Sequence, residues 1–225
     1  MRTLKASARA ALRALVVLGL LWSVVSALFA LLVFVMVRER YGRSGPFSAS
    51  HALALLNPQR RFLHAPVDTL LRVFRVKEGD TVLELGPGPG YFTLGASRVV
   101  GPTGRVVCVD VQPGMVSILE ERLRVEKVLN THPVVGDATR LPLADQSVDV
   151  AFLVTVLGEI HDRPAALVEL RRVMKPGAVL SVMEGLNDPD YQLEASVRDL
   201  CRAVGFEELA RERQRLGYVR SFVAP

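Results

Sequence analysis

Hydrophobic residues dominate one segment near the start of the chain. Ala14–Val37 is 24 residues long, and only one glycine and two serines in it fall outside the hydrophobic set. A helix of this length extends about 36 Å, which is enough to cross a hydrocarbon core of about 30 Å. The charged run Arg38-Glu39-Arg40 follows as a stop. We predict a transmembrane helix over residues 14–37.

Two other interpretations of this apolar segment remain open. A secretory signal peptide has an apolar stretch of only about 7–15 residues, although Val25-Ser26-Ala27 resembles a weak cleavage site. A buried core helix would need a domain that surrounds a helix apolar on all sides. The predicted organisation is a basic flank (1–13), the transmembrane helix (14–37), a linker (38–46) and one folded domain (47–225).

Short apolar runs and helical stretches alternate after the linker. Strands are predicted at Thr81–Leu85, Arg105–Asp110, His132–Gly136, Val148–Thr155 and Ala178–Met183, and an antiparallel hairpin at Phe206–Gln214 and Tyr218–Val223. Helices are predicted at Ser48–Leu56, Pro58–Phe74, Tyr91–Val100, Pro113–Lys127, Pro164–Val173 and Tyr191–Val204. Such alternation indicates a parallel sheet covered on both faces. We predict an α/β fold with a Rossmann-like, doubly wound, mostly parallel seven-stranded sheet.

Charge is divided along the chain in the same way as hydrophobicity. The net charge of +5 separates into +6 for residues 1–43 and −1 for residues 44–225. The basic character therefore belongs to the flanks of the apolar segment, and we expect no nucleic-acid partner. The chain has two cysteines and four histidines without metal-ligand spacing, so no disulfide framework and no metal site are predicted.

A glycine-rich turn follows the first predicted strand. Its sequence is Glu84-Leu85-Gly86-Pro87-Gly88-Pro89-Gly90. Glycines let the backbone approach a ligand and expose amide groups at a helix N-terminus, which suits anionic groups. The spacing is not the dinucleotide pattern, because Tyr91 stands where that pattern requires a small residue. A purely structural tight turn is the alternative.

Asp110 ends the second predicted strand, 20 residues beyond Gly90. A carboxylate in this place can accept hydrogen bonds from both hydroxyls of a ribose. The alternative is a helix cap for the segment that opens at Pro113. Together with the glycine-rich turn, the ribose role is the stronger hypothesis.

Five motifs in order resemble the class I S-adenosylmethionine-dependent methyltransferases, especially the small-molecule branch that includes ubiquinone/menaquinone-biosynthesis enzymes. They fall within residues 58–185 and are Val82–Gly90, Val107–Asp110, Gly136-Asp137-Ala138 with Leu141-Pro142, Ser147-Val148-Asp149 and Arg171–Gly177. The chain departs from the family slightly, with Ala178 for the usual second glycine. The resemblance implies S-adenosylmethionine as cofactor.

The resemblance also implies where the cofactor lies. Its methionine portion is expected near Glu84, Gly86 and Gly88, with Gly90 and Tyr91 completing that side of the pocket. Its ribose is expected on Asp110, and its adenine edge on Asp137 and Ala138.

Two residues after the fourth predicted strand are candidates for catalysis. A general base is needed only if the methyl acceptor must lose a proton. Glu159 and His161 stand at the carboxyl end of the predicted sheet, and a histidine can act as a base near neutral pH. The favoured alternative is that His161-Asp162 caps the helix starting near Pro164. Glu184 ends the fifth strand near the expected acceptor, although it can simply close that strand.

The leading hypothesis is a membrane-anchored methyltransferase that acts on a small, apolar or lipid-like acceptor. The alternatives are a non-catalytic cofactor-binding scaffold of the same fold and a nicotinamide-dependent oxidoreductase. No tyrosine of the chain has lysine four residues later, as the short-chain dehydrogenases require. The flanking charges weakly favour a cytoplasmic N-terminus, but a cytosolic cofactor places the catalytic domain on the cytoplasmic side of a single-pass anchor. The sequence does not indicate an oligomeric state.

Overall fold

The structure is a computed structural model, and it describes residues 22–29, 66–186 and 188–225. The chain divides into two compact units, residues 1–44 and residues 45–225. In the first unit, the described residues form a helix with exposed side chains. Across the described ranges, no helix combines the length and the apolar character that a membrane crossing requires.

Several predictions made for the N-terminal part lie outside the described residues. These are the basic flank, most of the transmembrane helix, the linker, the helix at Ser48–Leu56 and the first part of the helix at Pro58–Phe74. They stay predictions.

The described part of the second unit contains five helices, one short 3₁₀ helix and seven strands. In chain order these are α1 (Val67–Val73), β1 (Thr81–Leu85), α2 (Thr93–Val100), β2 (Arg105–Asp110), α3 (Pro113–Val125), β3 (Thr131–Val135), β4 (Val148–Val154), the 3₁₀ helix (Leu157–Glu159), α4 (Arg163–Val173), β5 (Met174–Gly185), α5 (Glu194–Ala203), β6 (Glu207–Gln214) and β7 (Gly217–Val223).

All seven strands join one sheet in the order β3-β2-β1-β4-β5-β7-β6. The strands β1 to β5 pair in parallel, whereas β7 pairs antiparallel with both β5 and β6. The prediction of a Rossmann-like sheet with a C-terminal antiparallel hairpin is confirmed. The chain leaves β1 toward β2 on one side and returns to β4 on the other, which makes the gap between β1 and β4 the switch point of the sheet.

The two faces of the sheet bury separate apolar clusters. Alternation along β1 sends Leu83 and Leu85 to one face, where they pack with residues of α4 and α5. Val82 points to the opposite face, where the rings of Phe74, Phe92 and Phe152 lie with residues of α2 and α3. Three helices therefore cover one face and two cover the other, as the doubly wound pattern predicts.

Of the elements from β1 onward, two begin three or more residues away from their predicted starts. The strand β5 begins at Met174 and not at Ala178. The turn predicted before the strand lies within it, since Gly177 has φ +79° and the pairing of β5 with β4 shifts register in this region. Helix α5 begins at Glu194 and not at Tyr191. The Tyr191 ring packs against Tyr218, and this contact holds residues 191–193 outside the helix.

Candidate functional site

The glycine-rich turn lies at the switch point and is closely packed on both sides. Gly86 has φ +69°, and a Cβ atom there would stand 2.4 Å from Cγ2 of Val156. Its N–H donates to the carbonyl of Val109 at 2.8 Å. Gly90 has φ +83°, and a Cβ atom there would stand 2.5 Å from Leu119. Only glycine fits these positions, because both the backbone conformation and the surrounding space exclude a side chain.

An arginine that the sequence did not single out holds this turn from α3. The Arg122 guanidinium donates to the carbonyl oxygens of Pro89 and Gly90, both at 2.8 Å. These carbonyls stand just before α2, so the contact fixes the end of the turn. The sequence does not predict this contact of Arg122, because an arginine on an amphipathic helix usually faces solvent.

Asp110 connects the end of β2 to the glycine-rich turn. Its side chain is buried, and its carboxyl group accepts a hydrogen bond of 2.9 Å from the backbone N–H of Gln112 and lies near the backbone N–H of Gly88. Burial raises the pKa of this carboxyl group above its usual value, and the two backbone N–H groups oppose that rise. Gln112 is the N-cap of α3 and has no side-chain cap, so Asp110 shapes the approach to α3 without being its N-cap residue.

Asp137 and Ala138 follow β3 beside this carboxyl group. The backbone N–H of Gly136 donates to the carbonyl of Asp110 at 3.0 Å, which joins the ends of β2 and β3. Asp137 is exposed, and its Oδ1 accepts from the backbone N–H and the hydroxyl of Thr139, at 2.8 and 2.9 Å. These bonds lower the pKa of Asp137. The predicted ribose and adenine residues therefore stand on adjacent strand ends.

Glu84 turns into the protein interior. Its side chain is 3% exposed, and its Oε2 accepts a hydrogen bond of 2.6 Å from the Thr93 hydroxyl in the first turn of α2. Burial raises the pKa of this carboxyl group to about 8. Tyr91 is half-buried, with its ring at the edge of Phe92. Contacts of Glu84 and Tyr91 with the methionine portion of the cofactor stay predictions.

The candidate catalytic residues lie just after β4. Glu159 ends the 3₁₀ helix and is half-buried, whereas His161 is exposed. Asp162 is the N-cap of α4 and accepts from the backbone N–H of Ala165 at 3.0 Å. The capping role is confirmed for Asp162, and the catalytic roles of Glu159 and His161 stay predictions.

Glu184 is a further buried carboxyl group at this edge of the sheet. It lies at the end of β5 and is 1% exposed. Burial raises its pKa to about 8, and the negative charges of Asp188 and Glu159 add to that rise. From the sequence, Glu184 is expected at the end of this strand near the acceptor, without a defined role.

The cofactor implied by the motifs fits the residues at the switch point. The turn has the conformation and the close backbone packing that only glycines permit, and Asp110 stands directly beside it. Within the part of the chain that the structure describes, no three histidine, cysteine, aspartate or glutamate residues are grouped to hold a metal ion. A cavity of about 290 Å³ lies farther along the sheet, beside Tyr191, Tyr218 and the β6–β7 hairpin.

Comparisons with known proteins agree with this arrangement. Residues 83–182 match a family model described as a methyltransferase domain. A ubiquinone/menaquinone biosynthesis C-methyltransferase of Shewanella halifaxensis is 33% identical over 125 residues, which cover 55% of this chain and 49% of that protein. The enzyme of the same name from Klebsiella pneumoniae is 39% identical over 110 residues, covering 48% and 44%. The chain thus spans about half the length of the curated relatives it matches.

A solved structure extends the similarity to the whole of another chain. The crystal structure of an S-adenosylmethionine-dependent methyltransferase from Aquifex aeolicus superposes with a TM-score of 0.76 and 26% identity. The superposition covers 80% of this chain and 100% of the Aquifex chain. The matched residues 83–182 thus form a methyltransferase domain, and its motifs and fold are similar to those of the class I S-adenosylmethionine-dependent methyltransferases.

Proposed function

We propose that the protein transfers the methyl group of S-adenosylmethionine to a small, apolar or lipid-like acceptor at the carboxyl edge of the sheet. The observation that carries this proposal is the position of Asp110. Its buried carboxyl group touches the backbone of the glycine-rich turn at the switch point, where doubly wound folds bind nucleotide ligands.

Different residues around the switch point bind different parts of the cofactor. Asp110 accepts hydrogen bonds from the ribose hydroxyls. Asp137 and Ala138 lie beside the edge of the adenine ring. Gly86, Gly88 and Gly90 let the backbone approach the methionine portion, with Glu84 and Tyr91 on the same side of the turn. When bound, S-adenosylmethionine supplies a methyl group on a positively charged sulfur. The protein accelerates transfer chiefly by holding the acceptor in line with that methyl group.

The acceptor side of the site is formed by the segments after β4 and β5. Glu159 and His161 belong to the first of these segments and are the candidates from sequence for receiving a proton from the acceptor. The matched relatives carry names of ubiquinone and menaquinone biosynthesis, whose quinones are apolar compounds. This supports an apolar acceptor for the present protein.

The N-terminal segment supports the same acceptor class. A helix over residues 14–37 would anchor the protein in a membrane as a single span, with the catalytic domain on the cytoplasmic side. About ten residues separate the anchor from the domain, so the site would work close to the membrane surface, where apolar acceptors accumulate.

Labelled methyl transfer tests this function. The full chain is incubated with methyl-labelled S-adenosylmethionine and a cell extract, which is then separated into lipid, protein, nucleic-acid and soluble fractions. We expect label in the lipid fraction, and much less label with Asp110→Ala. Label confined to the soluble fraction would contradict the lipid-like acceptor. Cofactor binding without label in any fraction would favour the non-catalytic scaffold.

A further inference from the structure

Glu184 is a buried carboxyl group that is only half satisfied. Its Oε2 accepts a hydrogen bond of 3.3 Å from the backbone N–H of Gln192. Its Oε1 is buried and has no hydrogen-bond partner among the described residues. Leaving a buried polar group without a partner destabilises a protein by about 1–3 kcal/mol. A buried carboxyl oxygen without a partner is therefore explained better by a functional role than by packing.

The position of Glu184 places it on the acceptor side of the site. It follows Met183, which pairs with Val154 at the end of β4. The chain continues from β4 to Val156, which packs against Gly86 in the glycine-rich turn. The carboxyl ends of parallel strands meet at one edge of a sheet, so Glu184 lies at the same edge as the turn, on the β5 side of the switch point.

The surroundings of Glu184 carry more negative than positive charge. Arg163 is the basic residue that acts on it, and its guanidinium donates to the carbonyls of Leu157 and Gly158. Five titratable or charged residues interact electrostatically with Glu184. They are Glu159 of the 3₁₀ helix, Arg163 of α4, Asp188 and Tyr191 of the segment after β5, and Tyr218 of β7. An anionic acceptor would be repelled here, whereas an uncharged or cationic one would not.

A short segment covers the carboxyl group and separates it from open space. The Tyr218 hydroxyl donates to the carbonyl of Gln192 at 2.9 Å, and the Gln192 side chain donates to the carbonyl of Asp190 at 2.6 Å. Tyr191 and Tyr218 also line the cavity of about 290 Å³ next to this segment. The contact between Gln192 and Glu184 is 3.3 Å long and is the longest of these bonds, so an entering acceptor can replace it.

We propose that Glu184 binds the methyl acceptor through Oε1 and receives the proton that the acceptor loses, and that the acceptor is an uncharged compound with an O–H or N–H group. This rests on the proposed function and names its acceptor class. The proton moves to Oε1 while its bonding pair stays on the acceptor and makes it nucleophilic. The acceptor gains the methyl group, and the former carbon–sulfur pair goes to sulfur. The positive sulfonium and the negative carboxylate are both neutralised.

Glu184 suits this role better than the two candidates from sequence. His161 is exposed, and Glu159 is half-buried. Burial raises the pKa of Glu184 to about 8, which makes its carboxylate a stronger base than an ordinary one.

The first test replaces the carboxyl group by an amide in the full chain. We expect Glu184→Gln to reduce labelled methyl transfer by about 100-fold or more while the Kd of S-adenosylmethionine changes less than twofold. Wild-type transfer should rise as pH increases toward about 8, where the carboxylate forms, and the variant should lose that rise. The matched control is Glu208→Gln, a carboxylate of β6 that pairs with Arg220. Transfer by Glu184→Gln within threefold of wild type would overturn the proposal.

The second test does not depend on turnover. Glu184→Met removes the unsatisfied oxygen, and we expect the thermal midpoint of the full chain to rise by about 2–4 °C. A clear fall in that midpoint would mean that Glu184 supports the fold, and it would overturn the proposal. If the wild-type chain binds cofactor but labels no fraction, the proposed function fails. The thermal midpoint then decides separately whether Glu184 is kept for a ligand.

Discussion

The carboxyl group of Asp110 accepts a hydrogen bond of 2.9 Å from the backbone N–H of Gln112, and it lies near the backbone N–H of Gly88 in the middle of the glycine-rich turn. Both N–H groups favour the charged form of this carboxyl group. Asp110 is therefore oriented within the protein before any ribose hydroxyl reaches it. Such preorganisation reduces the entropy that ligand binding would otherwise lose.

Substitution of Asp110 should weaken cofactor binding. Asp110→Ala removes a charge-assisted acceptor, and we expect the Kd of S-adenosylmethionine to rise at least tenfold, about 1.4 kcal/mol. Isothermal titration calorimetry measures this directly. Asp145→Ala is the control, because Asp145 pairs with Arg172 in an exposed loop and should leave the Kd unchanged. Equal affinity of wild type and Asp110→Ala would remove Asp110 from the ribose site.

The packing at Gly86 predicts a destabilisation with two separable parts. Gly86→Ala should lower the free energy of unfolding by about 2–4 kcal/mol, from the positive φ and from overlap with Val156. Gly177→Ala isolates the first part, because Gly177 has φ +79° and open space where its Cβ would stand.

Urea denaturation separates the two parts. We expect Gly86→Ala to be more destabilising than Gly177→Ala by about 1–2 kcal/mol. That difference should disappear in a Val156→Ala background. An undiminished difference there would show that the overlap with Val156 is not its source.

Arg122 should stabilise the glycine-rich turn. Arg122→Met keeps an apolar stem but loses both hydrogen bonds to the carbonyls of Pro89 and Gly90. We expect unfolding to become easier by about 1–3 kcal/mol and cofactor affinity to fall. Arg124→Met is the control on the same helix, since Arg124 forms an exposed pair with Glu121. If the two variants behave alike in denaturation and calorimetry, Arg122 is an ordinary surface residue.

Stability should fall as pH rises because of Glu84. Its pKa is about 8 in the folded protein, compared with 4.5 in an unfolded chain, so the folded state binds the proton more tightly. Its contribution is fully present below about pH 4.5 and is lost as pH rises through about 8, by at most about 5 kcal/mol. Glu184, whose pKa is also raised to about 8, should lose stability in the same range. Glu84→Gln should therefore remove only the part of the loss that belongs to Glu84 in urea denaturation at pH 5, 7 and 9, whereas Glu121→Gln, at an exposed site, should keep the full loss. The same loss in Glu84→Gln would assign it to other groups.

The sequence determined the strands and turns that depend on neighbouring residues. The predicted bounds of β1 and β2 are those of the structure, because runs of β-branched and apolar residues end there at glycine or aspartate. Asp110 and Asp137 are candidate site residues because Asp110 ends a strand and Asp137 follows one, each within a recognisable motif. Helix α5 begins three residues after its predicted start. The hydrophobic pattern of the helix itself cannot predict that Tyr191 packs against Tyr218.

The tertiary structure decided which partners the charged side chains have. Arg122 reaches the carbonyl of Gly90 across 32 positions of the chain, and Glu84 turns inward to Thr93. Glu184 is buried where β7 and the segment before α5 meet the end of β5. Local patterns carry periodicity and turn chemistry, whereas these contacts arise only when the order and register of the strands bring distant residues together.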